Sequence, residues 1–411
     1  MINIAVLGYG TVGSGVVEVI DENNDSIDKR SGDQIRIKYV LDLRDFPGDR
    51  VEPILVHDFD VILNDPEVKI VVEVMGGVEP AYTFVKKSLL AKKSVCTSNK
   101  ELVAKHGPEL IKIAKENDVN FLFEASVGGA IPVIRPINSS LTADKILELK
   151  GILNGTTNYI LTQMGEKGWE FDKALKSAQE LGYAERNPEA DIEGYDACRK
   201  IAILSSLAFG KNVDFEKIHT EGISKITATD IRYAAKMKCA IKLLASSTCE
   251  GGKYYAMVAP FIVNASHPLY SVSGVYNAIF VKGSQIGDVM FYGSGAGKLP
   301  TACAVVADVV DAAKHIGKNI YTFWSSEDLE LTGIENATRS FFVRVSKNTD
   351  ERKALVKKEF GDVKIIELDD AGDEFGFVTA PSTEKEFYDK IKNIPDVLTS
   401  IRLEGHPEAM A

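Results

Sequence analysis

The chain has 411 residues, 45% hydrophobic and 26% charged, with a net charge of −11. That is the balance of a globular protein of two or three domains, and with no clustered Lys and Arg it excludes a nucleic-acid surface. No apolar run is long enough to cross a membrane or follows a basic start as a signal peptide does, and five scattered cysteines without Cys-x-x-Cys spacing argue against zinc or a disulfide framework and for a reducing cytoplasm.

Residues 2–7 read as a short buried strand, followed by Gly8-Tyr9-Gly10-Thr11-Val12-Gly13 and a helical run. A GxGxxG between strand and helix is the context of a dinucleotide site. Its glycines permit a tight turn, close approach to a pyrophosphate and close helix packing, and the helix N-terminus offers free N–H groups to the phosphates. Strands at 35–41 and 69–75, a helix from about Ala81 to Lys92, the strand SVCTS, a helix over 108–118 and the strand NFLFEAS continue the alternation. This predicts an α/β fold with a Rossmann-type parallel sheet over 1–135, completed by helix 301–317. The second strand ends at Asp42-Leu43-Arg44. An acid there suits the ribose hydroxyl of NAD(H) and an arginine the 2′-phosphate of NADP(H). Arg44, with Arg50 close by, favours NADP(H), with NAD(H) as the alternative.

After Pro132 the pattern changes. KILELKGILN reads as a strand, NYILTQMGEKG and FDKALKSAQELG as helices with Gly182 as a stop, then a helix over 196–210 and strands YYAMVAPFIV and NAIFVKG. Residues 136–300 are thus a second α/β unit with a mostly antiparallel or mixed sheet, for substrate and dimerisation. The stretch 185–200 gathers Glu185, Asp191, Glu193, Asp196 and Lys200. Asp196 and Lys200 are four apart at a helix start, so their side chains share one face. A lysine held beside carboxylates can act as a proton source; the alternative is a surface ion pair. A linker over 318–337 leads to residues 338–411, whose order βαββαβ is ferredoxin-like. Cys96, inside an apolar strand, reads as structural, and His267 before Pro268 as a turn residue.

Several of these motifs together resemble homoserine dehydrogenase. They are the glycine turn, EVMGG at 73–77, TSNK at 97–100, EASVGGAIPVI at 124–134, NGTTNYILT, GYAE, DIEGYD with ACRK, HPLYSVSGVYNAI at 267–279 and YGSGAGKLPTACAV at 292–305. The resemblance covers about residues 1–317, and a fused aspartate kinase is not expected. It implies reversible reduction of L-aspartate 4-semialdehyde to L-homoserine on the way to threonine, methionine and isoleucine. It implies that Lys200 protonates the carbonyl oxygen, with Lys100 as the second cation, Asp196 fixing Lys200 or holding the substrate's amino group, and Glu185 binding the substrate ammonium. Glu185, Asp191 and Thr156 join Asp196 and Lys200 as substrate contacts. Thr11, Val12, Ser98, Lys100, Gly182, Glu185, Gly295 and Gly297 join Gly8, Gly10, Gly13 and Arg44 at the cofactor, although the GSGAG turn also reads as a loop crossing back to the first domain. Glu124 with the carbonyls of Val127, Gly129 and Ile131 matches a structural Na⁺ site; the alternative is a buried glutamate bonded to backbone N–H groups.

The tail resembles an ACT domain, which implies an amino-acid effector such as threonine. Its first turn, Asn348-Thr349-Asp350-Glu351-Arg352, lacks the usual glycine, so the alternative is an oligomerisation module. A homodimer or homotetramer is expected. The rival functions are a catalytically silent sensor and another Rossmann oxidoreductase acting on a small amino or hydroxy acid.

Overall fold

The structure is a computed structural model and describes residues 1–369 and 371–405; the end of the expected C-terminal unit, 406–411, lies outside them. Six parallel strands form the first sheet: β1 (Ile2–Leu7), β2 (Ile35–Leu41), β3 (Leu55–Val56), β4 (Val68–Glu73), β5 (Ser94–Thr97) and β6 (Phe121–Leu122). Their order is β3-β2-β1-β4-β5-β6, the doubly wound arrangement in which the strand order reverses beside β1. β1 and β4 are nearly continuous apolar runs because both of their faces are covered. Helix α1 (Thr11–Glu22) follows the glycine turn and α2 (Ala81–Leu90) follows β4. Helix α3 (Lys100–Glu116) begins well before the expected start at 108, because Asn99 caps it and Pro108 lies inside it. Proline there removes one hydrogen bond without ending the helix.

The second sheet has ten strands. β7 (Ile146–Ile152) leads into α4 (Gly155–Lys167), and α5 (Tyr195–Phe209) precedes the long hairpin β8 (Cys239–Glu250) and β9 (Lys253–Asn264). β10 (Tyr276–Gly283) and β11 (Gly287–Ser294) follow, and then α6 (Lys298–Lys314), which returns to lie along α1 of the first unit. Gly15 permits that approach, since a Cβ there would press on the Lys298 carbonyl and Ala302.

The tail folds as β12 (Phe341–Ser346), α7 (Asp350–Phe360), β13 (Lys364–Ile366), β14 (Glu374–Val378), α8 (Glu384–Ile391) and β15 (Val397–Glu404), the expected βαββαβ order. Its strands do not form a separate sheet. The path runs β11-β10-β7-β8-β9-β15-β12-β14-β13, with β15 hydrogen-bonded in parallel to β9. Every other step of that path is antiparallel. One face of the tail sheet packs under its own helices, where Phe341 stacks on Phe387. On the other face Phe342 meets Tyr233, and Arg344 pairs with Asp230 at 2.7 Å. Large side chains such as Phe342 and Tyr233 are fully buried, each stabilising the joint by roughly 1.5–3 kcal/mol. The expected linker is partly ordered: Trp324–Asp328 pairs with Gly210–Asn212 in a small sheet of two strands, and buried Trp324 lies against Gly107 of α3.

Candidate active site

The glycine turn leaves β1 with Gly8 at φ +97°, a conformation that glycine adopts without strain. Gly13 is the third glycine of the pattern, and a Cβ there would collide with the Gly8 carbonyl. Thr11 and Val12 open α1, whose N-cap Gly10 adds no side-chain cap, so the first-turn N–H groups stay free for an anion. The turn borders a cleft of about 490 Å³ also lined by Asp42, Arg44, His57 and Met75.

Asp42 closes the far side of that cleft. It accepts the Tyr9 N–H at 2.8 Å and the Arg44 backbone N–H and side-chain Nε at 3.0 Å each. The Arg44 guanidinium holds its carboxyl well below the usual range despite partial burial. Arg50 does not support Arg44, contrary to expectation: it turns to Asp21 at 3.0 Å.

The next strand ends deliver the charged residues. Thr97 donates to buried Glu73 at 2.6 Å. Asn99 caps α3 through the Leu102 N–H and donates to the Gly77 carbonyl at 2.6 Å. That bond ties the turn carrying half-buried Ser98 and Lys100 to the EVMGG segment, whose Met75 and Gly76 line the nucleotide cleft. In the second unit, Asn154 caps α4 by accepting the Thr157 N–H at 2.9 Å, and Thr156 donates to the Tyr183 carbonyl at 2.5 Å. Gly194, at φ +82°, turns the chain into α5.

Asp196, in the first turn of α5, is the centre of the site. Its Oδ1 lies 2.5 Å from Lys100 Nζ and its Oδ2 2.7 Å from Lys200 Nζ. Lys200 also donates to the Leu153 carbonyl at 2.7 Å, so it is a buried ammonium and not a surface ion pair. Burial of Asp196 opposes its charge, but Lys200 and Lys100 outweigh burial and hold its carboxyl far below the ordinary value. Burial likewise opposes the charge of Lys100, and Asp196 more than compensates, raising that ammonium. Asp191 is half-buried beside them; desolvation raises its carboxyl, opposed by a hydrogen bond from Asn154.

Other expected residues lie apart from this cluster. Gly182 and Glu185 are exposed on the loop that follows the helical segment Phe171–Glu180. The Glu185 backbone is tied to that helix, its carbonyl accepting from Gln179 Nε2 at 3.2 Å, while the side chain is open to solvent. The turn with Gly295 and Gly297 packs on Gly129 and starts α6, so it crosses back to the first unit. Glu124 Oε1 accepts the Val133 and Ile134 N–H groups and Oε2 the Arg135 N–H, all at 2.7 Å. Its carboxylate is the backbone-bonded glutamate set beside the Na⁺ reading above. Cys96 is fully buried, which pushes its thiol up and leaves it inert. His267 accepts the Leu269 N–H in its turn. Sequence reasoning missed Asn154 and Asn99; an Asn directly before each helix start was the available signal.

A glycine turn on a doubly wound sheet, joined to a second unit through a carboxylate clamped by two lysines, is the frame of a nicotinamide-dependent oxidoreductase. A family profile described as homoserine dehydrogenase matches residues 132–310, and one described as its NAD binding domain matches 8–124. The chain belongs to the homoserine dehydrogenase family. It is 41% identical to a homoserine dehydrogenase of Synechocystis over 84% of this chain and 79% of that one. It is 42% identical to one of Bacillus subtilis over 77% and 73%. Among solved structures, a homoserine dehydrogenase from Thiobacillus denitrificans superposes with a TM-score of 0.90 at 35% identity, covering 98% of each chain. That of S. aureus gives 0.81 at 35%, covering 98% and 99%.

Proposed function

We propose that the chain interconverts L-aspartate 4-semialdehyde and L-homoserine, the reaction its relatives' names describe. The observation that carries this reading is Asp196 held between Lys100 and Lys200. A bound nicotinamide dinucleotide supplies or accepts the hydride. As the aldehyde carbon is reduced, negative charge grows on its oxygen, and an ammonium stabilises that charge and delivers the proton. Lys200 has this role; Asp196 and the Leu153 carbonyl fix its direction. Lys100 adds a second positive charge from the cofactor side. Asp191 takes the substrate ammonium, Glu185 adds an acidic contact from its loop, and Thr156 holds the loop of Tyr183 against α4. Ser98, Gly182, Gly295 and Gly297 belong to the cofactor's nicotinamide end.

Arg44 favours NADP(H) over NAD(H), since Asp42 is already neutralised by it and the guanidinium remains exposed. In the first turn of the tail Thr349 caps α7 and Asp373 accepts the Asn348 N–H, so two of the turn's polar groups are already partnered. This supports a structural or pairing role over threonine binding. Exposed Ile286, Met290 and Tyr292 near the outer edge of the second sheet support a homo-oligomer. The free cysteines agree with a cytoplasmic setting, and no helix among the described residues is long and apolar enough to cross a membrane. The test is spectrophotometric: purified chain, aspartate 4-semialdehyde and NADPH or NADH, following the dinucleotide's absorbance. No oxidation of either cofactor would overturn the reading.

A further inference from the structure

Asn154 stands between β7 and α4 with both protons of its amino group in use. Oδ1 accepts the Thr157 N–H at 2.9 Å. Only the oxygen of an amide can meet that donor, so the other atom is the amino group. Its two protons go to different carboxylates, Asp191 Oδ1 at 2.7 Å and Asp196 Oδ2 at 3.0 Å. Asn99, the other asparagine cap of the site, spends its amino group on the Gly77 carbonyl.

We propose that Asn154 is a positioning residue of the reaction, which bridges Asp191 and Asp196 so that both stay charged side by side. One carboxylate is thereby free for the substrate ammonium while the other aims Lys200 and Lys100. The role of Asp191 rests on the reading under Proposed function. Two neighbouring carboxylates repel, and a neutral donor between them offsets that repulsion without consuming a lysine. The charged groups facing Asp191 are Asp196, Lys200 and Lys100, and burial is the largest influence raising its carboxyl. The Asn154 hydrogen bond works against burial, so its loss lets Asp191 keep a proton to higher pH.

Two variants of the full chain separate bridging from capping. Asn154→Ser keeps a capping oxygen and loses the amino group; Asn154→Asp keeps cap and shape but adds a third acid. Homoserine oxidation is measured with NADP⁺ across pH, together with thermal melting. For Asn154→Ser we expect near-native melting, a homoserine KM raised roughly 10-fold and an acid limb of kcat/KM moved to higher pH. Asn154→Asp should be weaker still. A serine variant with the native KM and pH profile, or one whose loss only follows a loss of folded protein, overturns the proposal. Wild-type turnover is the reference: if it is absent the reaction itself falls, and if it is present beside an unaltered serine variant only the role of Asn154 falls.

Discussion

Lys100 Nζ and Asp196 Oδ1 are 2.5 Å apart, and they come from different α/β units. The lysine is the first residue of α3, positioned by the parallel sheet; the aspartate opens α5 in the second unit. One carboxylate therefore holds both lysine ammonium groups and also joins the first unit to the second. Asp196→Asn should lower turnover by at least about 10²-fold and destabilise the chain by about 3 kcal/mol, since it leaves two cations without their buried partner. Steady-state kinetics and chemical denaturation measure the two losses separately; native values in both would remove this role.

Lys200→Ala should lower kcat roughly 10²–10⁴-fold with the fold retained. Lys100→Ala should lower kcat less and raise the KM for substrate more. Comparing kcat and KM for both variants ranks the lysines, and near-normal turnover without Lys200 would take it out of the mechanism.

Arg44→Ala should raise the KM for NADPH by about 10-fold and spare or improve that for NADH. The reason is that Asp42 then regains free oxygens for a ribose hydroxyl. Equal changes for both dinucleotides would contradict the assignment.

Lys242 gives a pH signature away from the chemistry. It is buried, donates to the Val272 carbonyl and, at 3.4 Å, to Asn158. Burial pushes its ammonium down to about 8 from 10.5. Between those values the unfolded chain holds the extra proton, so stability rises with pH across that window; below about pH 8 the cost of the buried charge is present in full. Relative to Lys242→Met, the wild type should gain up to about 3 kcal/mol between about pH 8 and 10.5. Denaturation of both chains at three pH values measures it, and a difference that stays flat would contradict it.

Much of the site was legible because its signals are local. The glycine turn has fixed spacing, and Asp196 and Lys200 are neighbours on one helix face. The Lys100–Asp196 pair is only half legible: both residues stand out in the sequence, but nothing local tells a lysine which distant acid it will meet. Arg50 shows the same limit in reverse, since it pairs with Asp21 on α1, a partner that its place in the sequence does not announce. The start of α3 was misplaced because Pro108 looks like a first-turn residue, whereas the Asn99 cap decides. The βαββαβ order of the tail followed from alternation, but an edge strand does not encode its partner, so the β9–β15 pairing was invisible.

That pairing changes what the tail is. β15 places Arg402 between Glu384 and Glu221, and Glu404 against Lys150 on β7. β7 is the strand that runs on to Asn154. β15 is made long after β9, so during synthesis β9 waits with an open hydrogen-bonding border and Lys150 lacks one of its counterions. Grafting a different tail onto this enzyme would therefore have to reproduce those charges and that register, and cutting the tail away would leave an adhesive border.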